Sequence, residues 1–144
     1  MNSTLEKFGY PHTLIHDYDH WSVLLRPQQV TLGSLILAAH GQATAFGQLD
    51  KAAMLELSEI ISAIEITLQK NLHCDKFNYL MLMMVDPHVH FHVFPRYENE
   101  CYFMNQAFND EDWPKPPDLS RSCMQNAAMS SDLQLFLSKH WENG

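Results

Sequence analysis

Between Asp86 and Tyr97 the chain reads DPHVHFHVFPRY, so that His88, His90 and His92 occupy every second position with one apolar residue between neighbours. A period of two belongs to a β-strand, whose side chains alternate between the faces of its sheet. Val89, Phe91 and Val93 therefore share one face, apolar enough to pack under a helix, and the three imidazoles share the other. Such a strand calls for a sheet covered on one side and available for chemistry on the other, which antiparallel sheets of α+β domains supply.

The flanking sequence provides the partners. HWSVLLR, His20 to Arg26, reads as a strand that Pro27 stops, and Gly33 opens a second, GSLILAA, that ends near His40; the two form a hairpin. A helix follows over Leu49–Leu72, with Leu57, Ile61, Ile64, Leu68 and Leu72 at helical spacing and Asp50 as N-cap. Glu56, Glu59, Gln69 and Lys70 are left for solvent. Phe77 to Val85 is apolar and β-compatible, and Asp86-Pro87 turns the chain into the histidine strand. An irregular Pro-rich stretch, Asp110 to Asp118, precedes a short helix over Ser130–Trp141, which Ser131 caps and whose apolar face is Leu133, Phe136, Leu137 and Trp141. The expected architecture is an antiparallel sheet with a long helix packed on one face, with the triad on its penultimate or last strand.

The length of 144 residues suits one domain spanning 1–144. With 46% apolar and 18% charged residues, the composition is that of a chain that buries a core rather than of a disordered one. A formal net charge of −8 leaves no basic stripe for nucleic acid or anionic membrane, although a small phosphorylated ligand needs only local donors. Three cysteines, Cys74, Cys101 and Cys123, with no CxxC spacing, read as free thiols. With no apolar leader segment at the N-terminus and no apolar run of membrane-spanning length, the expected location is the cytoplasm.

Two chemistries suit a row of three imidazoles. Two histidines on alternate strand positions can share a zinc ion with ligands from elsewhere. The outer pair, roughly 13 Å apart at about 3.3 Å per residue, converge on one ion only with strain. The competing reading is nucleophilic attack on phosphorus, which alternate strand positions suit by placing closely spaced imidazoles around one anionic centre. A neutral imidazole is a nucleophile near pH 7, and its neighbours can fix its tautomer, donate to phosphate oxygens and assist the leaving group. No metal or other cofactor is expected for that step.

His88-Val-His90-Phe-His92-Val-Phe94, followed by Pro95-Arg96, resembles the signature of the histidine triad family: His, apolar, His, apolar, His, apolar, apolar. The resemblance covers roughly Trp21 to Tyr97. It implies a nucleotide-binding α+β fold, a homodimer, and action on the α-phosphate of a nucleotide, with dinucleoside polyphosphates or nucleoside phosphoramidates as substrates. By the same match His90 is the nucleophile that carries a covalent nucleotidyl group. His88 would orient it and His92 would contact phosphate or leaving group. The hairpin over residues 23–37 falls where the family builds its base and ribose pocket. Arg26 stands where a ribose-contacting Asp or Asn is usual, His40 matches a histidine common at the end of the second strand, and Arg96 belongs to the motif's continuation. Ser34 replaces a histidine found in many members, Met84 an Asn common in the hydrolases, and Val85 a phosphate-contacting Ser or Thr. These departures motivate the alternative of a nucleotide-binding module that does not turn over its ligand.

Overall fold

The structure, a computed structural model, describes residues 1–142. The elements in chain order are α1 (Ser3–Lys7), β1 (Leu14–Asp17), β2 (Trp21–Leu25), β3 (Leu35–Ala39), α2 (Lys51–Leu72), β4 (Lys76–Leu80), β5 (His90–Arg96), β6 (Cys101–Phe103), β7 (Gln106–Phe108) and α3 (Ala127–Lys139), with a single 3-10 turn at Phe46–Gln48. Strands β1 to β5 form one antiparallel sheet in the order β1-β2-β3-β5-β4, and β6 pairs with β7 in a separate hairpin.

Helix α2 begins where Asp50 caps it, its carboxylate accepting the Ala53 N–H at 2.9 Å. It ends at His73, whose left-handed backbone (φ 61°) returns an N–H to the Gln69 carbonyl. Its buried arc contains Leu57, Ile64, Leu68 and Leu72, as the spacing predicts, but centres on Ile60, so that Ile61 lies at its flank and is only half-buried. This arc packs on the sheet face made by Trp21, Val23, Leu25, Leu35, Leu37 and Val93, and α3 adds Leu133 and Leu137 to the same core. Between β2 and β3, Gly33 turns at φ +86°. A Cβ there would lie 2.7 Å from Leu72 Cδ1, so the conformation and the close approach to α2 both require glycine.

The opposite face carries Leu24, Ile36 and Ala38, covered by Leu5 and Phe8 of the N-terminal segment. The register places Ile36 against His92 and Ala38 against His90, so the histidine row is the continuation of this second face. Segment 1–17, which shows no clear pattern in the sequence, thus supplies both α1, capped by the Asn2 side chain, and the edge strand β1.

Three elements differ from the sequence expectation in their bounds, and one hairpin was not anticipated. β4 stops at Leu80 rather than Val85: Leu80, paired with His92, is the last residue of β4 with a ladder partner, although β5 itself extends to His90. Residues 81–87 instead cross the histidine face irregularly, with Met83 at φ 46°. The triad strand begins at His90, so His88 lies in the preceding bend. α3 starts four residues earlier than Ser131 because Asn126 caps it, accepting the Ala128 and Met129 N–H groups. The β6–β7 hairpin turns through Met104 and Asn105, both at positive φ as a two-residue hairpin turn requires.

Candidate functional site

His90 and His92 lie side by side on β5, their ring centroids 5.0 Å apart, and both are nearly sealed from solvent. The partners of each ring settle its tautomer. His90 Nδ1 lies 2.7 Å from the His88 carbonyl oxygen, which only accepts, so this nitrogen carries the proton and Nε2 holds the lone pair. His92 Nδ1 accepts from Arg26 Nε at 3.2 Å, and a guanidinium only donates, so His92 carries its proton on Nε2. The row thus presents a bare nitrogen from His90 beside an N–H from His92.

Burial, followed by the adjacent Arg26 cation and then His90, holds the His92 imidazole down to about 4. His92 is therefore a neutral hydrogen-bond donor at neutral pH and not an imidazolium acid. A depressed pKa has a thermodynamic counterpart. Between the ordinary histidine value near 6.5 and about 4, the unfolded chain takes up this proton and the folded chain does not. The contribution is complete above pH 6.5 and is lost as pH falls toward 4. We expect His92 to cost the fold about 2–3 kcal/mol on that acidification. Denaturant midpoints at pH 7, 5 and 4 for the native protein and for His92→Gln will differ in slope by that amount; parallel curves would contradict it.

The His88 ring is engaged elsewhere. Its Nδ1 lies 3.0 Å from Thr4 Oγ1, which also receives the His88 backbone N–H at 3.3 Å, and its Nε2 lies 3.2 Å from Gln42 Oε1. It acts on His90 through its backbone carbonyl, while its imidazole ties the N-terminal segment to the bend before β5. Lys7 adds an ion pair to Asp86 at 2.9 Å, and the ring of Phe8 sits 5.6 Å from that of His90 and 5.8 Å from that of His92.

A cavity of about 220 Å³ opens onto His90, His92 and Arg26. Its rim is Leu82 to Asp86 on one side and Leu119 of the tail on the other. Arg26 is held in place by Nη1 donating to the Gln28 carbonyl at 2.8 Å and by its Cζ lying 5.4 Å over the Phe94 ring. A phosphate group in this space would meet one guanidinium, one imidazole N–H and one imidazole lone pair.

Arg26 is thus gathered with the two histidines, while Ser34, His40 and Arg96 are engaged elsewhere. Ser34 is fully buried and closes the β2–β3 loop, donating to the Thr31 carbonyl at 2.7 Å and accepting the Thr31 N–H at 3.0 Å. The His40 ring bonds to Ser22 Oγ at 2.8 Å and the Asp19 carbonyl at 3.1 Å, at the β1–β2 side of the sheet. Arg96 shares the histidine face of β5 but is locked by Asp110, Asn78 and the Lys115 carbonyl. Thr4, Phe8, Gln42 and Leu119 were not legible in sequence, since no local pattern links residue 4 to residue 88. Among the described residues no three His, Cys, Asp or Glu side chains group as metal ligands would. The three thiols are unpaired, and burial pushes Cys74 and Cys101 up to about 12, so neither is a nucleophile at neutral pH.

No protein-family model and no curated protein sequence matches the chain. Solved structures do. A histidine triad protein from Bradyrhizobium japonicum superposes with a TM-score of 0.73 at 20% identity, covering 99% of this chain and 97% of that one. A histidine triad protein from Sinorhizobium meliloti gives 0.74 at 17% identity, with 97% and 95% covered. A hypothetical histidine triad nucleotide-binding protein from Sulfolobus tokodaii gives 0.70 at 15% identity, with 89% and 82% covered. The chain has the fold of the histidine triad proteins.

Proposed function

We propose that this protein of histidine triad fold binds a nucleotide with its α-phosphate in the Arg26–His90–His92 cavity and cleaves it through a covalent nucleotidyl-His90 intermediate. The observation that carries the reading is the hydrogen bond from His90 Nδ1 to the His88 carbonyl, which leaves Nε2 free to attack. In the first step a bond forms between Nε2 and phosphorus, and the phosphorus–oxygen or phosphorus–nitrogen bond to the leaving group breaks with its electron pair. A phosphate leaving group needs no proton, and an amine takes one from solvent. The substituted ring becomes an imidazolium, whose remaining N–H strengthens its bond to the carbonyl as charge develops. The His92 N–H and the Arg26 guanidinium face the phosphate oxygens. In the second step water adds to phosphorus, loses a proton to solvent, and the nitrogen–phosphorus electron pair returns to Nε2.

Incubation with an AMP–amine phosphoramidate and, separately, with a dinucleoside tetraphosphate tests this directly. AMP is released from at least one. A second reading, nucleotide binding without turnover, is favoured by one feature of the rim: Leu82, Met84 and Val85 are exposed apolar side chains where polar phosphate contacts would help. Micromolar AMP binding with no AMP release from either substrate would establish that reading instead. Among the described residues no helix is long and apolar enough to cross a membrane.

A further inference from the structure

The cavity at the histidines is too small for a whole nucleotide, and the second face beyond it is filled by Leu5 and Phe8. The opposite direction along the sheet is open. A second cavity of about 700 Å³ lies between strands β4 and β5 and the Pro-rich tail, within the range of sites that bury small molecules. Phe94 is at its base, Asn78 and Leu80 line one side, and Trp113, Pro116 and Leu119 the other. It adjoins the phosphate-sized cavity, because Leu119 borders both. The Phe94 ring also stacks parallel to that of His92 at 6.2 Å.

This wall is built rather than draped. Buried Arg96 holds Asp110 and the Lys115 carbonyl, Arg121 holds Asp112 at 2.9 Å, and Gln28 donates to the carbonyls of Leu119 and Arg121. Since the Gln28 carbonyl also receives Arg26 Nη1, the tail is tied to the same residue that faces the phosphate space. Inside, aromatic and proline surfaces dominate. The Asn78 carbonyl oxygen accepts from Arg96 at 2.7 Å, while its amide nitrogen has no partner among the described residues and can donate to a ligand. Planar apolar walls, with the Asn78 amide and the Lys76 side chain as donors among the lining, suit a flat ring that carries hydrogen-bond acceptors.

We infer that this tail cavity seats a planar aromatic ring carried by the phosphate ligand, so that Trp113, Leu119 and Asn78 are specificity determinants for a substituent on phosphorus. The inference rests on the proposed phosphate site at His90. The ring has two chemical sources, the base of the nucleotide or an aromatic leaving group.

Equilibrium binding separates them without requiring turnover. One arm compares AMP with ribose 5-phosphate on the native protein. The other compares adenosine phosphoramidates of phenethylamine and of methylamine on His90→Asn, which leaves them intact. The ring should add about tenfold in affinity in one arm, the size expected of a single stacked ring. Trp113→Ala should reduce that gain to less than about threefold and Trp113→Phe should restore it. Pro116→Trp, an exposed substitution that fills the cavity, should abolish the gain even if Trp113→Ala fails to fold. Loss of the gain in the first arm assigns the base, and in the second the leaving group; either supports the inference. Phosphates that bind with no ring preference, or with a preference that neither Trp113→Ala nor Pro116→Trp alters, overturn the ring site and leave the nucleotide reading standing. No binding of any phosphate ligand overturns both.

Discussion

Replacing His90 with asparagine is expected to lower the rate of AMP release by roughly 10⁴-fold or more, because the proposed covalent route depends on its Nε2. Nucleotide affinity changes by only a few-fold, since Arg26 and the His92 N–H remain to face the phosphate. The neighbours rank below it for reasons visible in their contacts. His92→Ala removes a donor aimed at the phosphate and costs about 10²–10⁴. His88→Ala costs less than that. The atom that holds His90 is the His88 backbone carbonyl, which alanine retains, and the side chain reaches only Thr4 and Gln42. Steady-state rates for the three variants, with AMP affinity measured alongside, check the ranking. Near-native turnover by His90→Asn would exclude nucleophilic catalysis by this residue.

The second large effect is on stability. Arg96 and Asp110 form an ion pair whose side chains are 4% and 1% exposed, with Arg96 Nε 2.6 Å from the carboxylate. The same carboxylate accepts the Tyr97 N–H at 3.2 Å. Asp110→Ala leaves a nearly buried guanidinium without its carboxylate, and we expect a loss of about 3–5 kcal/mol. That is a large share of the 5–15 kcal/mol that holds a typical domain. Replacing both partners, Arg96→Met with Asp110→Leu, should recover much of it, because the cost lies in the unpaired charge rather than in the missing attraction. Urea midpoints of the single and double variants decide this. A loss below about 1 kcal/mol for Asp110→Ala would mean that solvent reaches the pair after all. Because this pair also anchors the tail over Phe94, Asp110→Ala should weaken binding of ring-bearing phosphates more than of ribose 5-phosphate.

The parts of the fold that were legible in sequence are those with a sustained period. The alternation around Val89, Phe91 and Val93, the run from Leu57 to Leu72 with its Asp50 cap, and the apolar pair of strands β2 and β3 each bury one face over many residues, and that face determines their place. Elements without such a run were hidden. Helix α1 is five residues long and owes its existence to the Asn2 cap and to packing against Ile36 and Ala38, far away in sequence. The β6–β7 turn puts Met104 at positive φ, where a methionine is no signal, so only Asn105 hinted at it. β4 was read five residues too long because Met81 to Val85 are apolar, whereas the chain leaves the ladder after Leu80 and turns through Met83 at positive φ.

The site divides in the same way. His90 and His92 follow from the alternation, and Arg26 from the resemblance to the histidine triad family. Their chemistry does not, because it is assigned by a carbonyl two residues back and by a guanidinium 66 residues away. The same row of three could not show that His88 would leave the strand. Nor could it show that Arg96, a cation on the same face, would be consumed by Asp110. Ser34 looked available beside Gly33, but the loop that Gly33 makes possible uses both of its hydrogen-bonding capacities internally.

The proposed mechanism forms a bond between His90 and a nucleotide phosphorus. Mixing the protein with excess AMP–amine phosphoramidate, quenching within the first turnovers and measuring the intact mass tests it most directly. One AMP moiety should be added per chain, located on His90 by peptide mapping, stable in base, labile in acid, and absent from His90→Asn. Turnover without any adduct, or an adduct that maps to another residue and persists in His90→Asn, would contradict it.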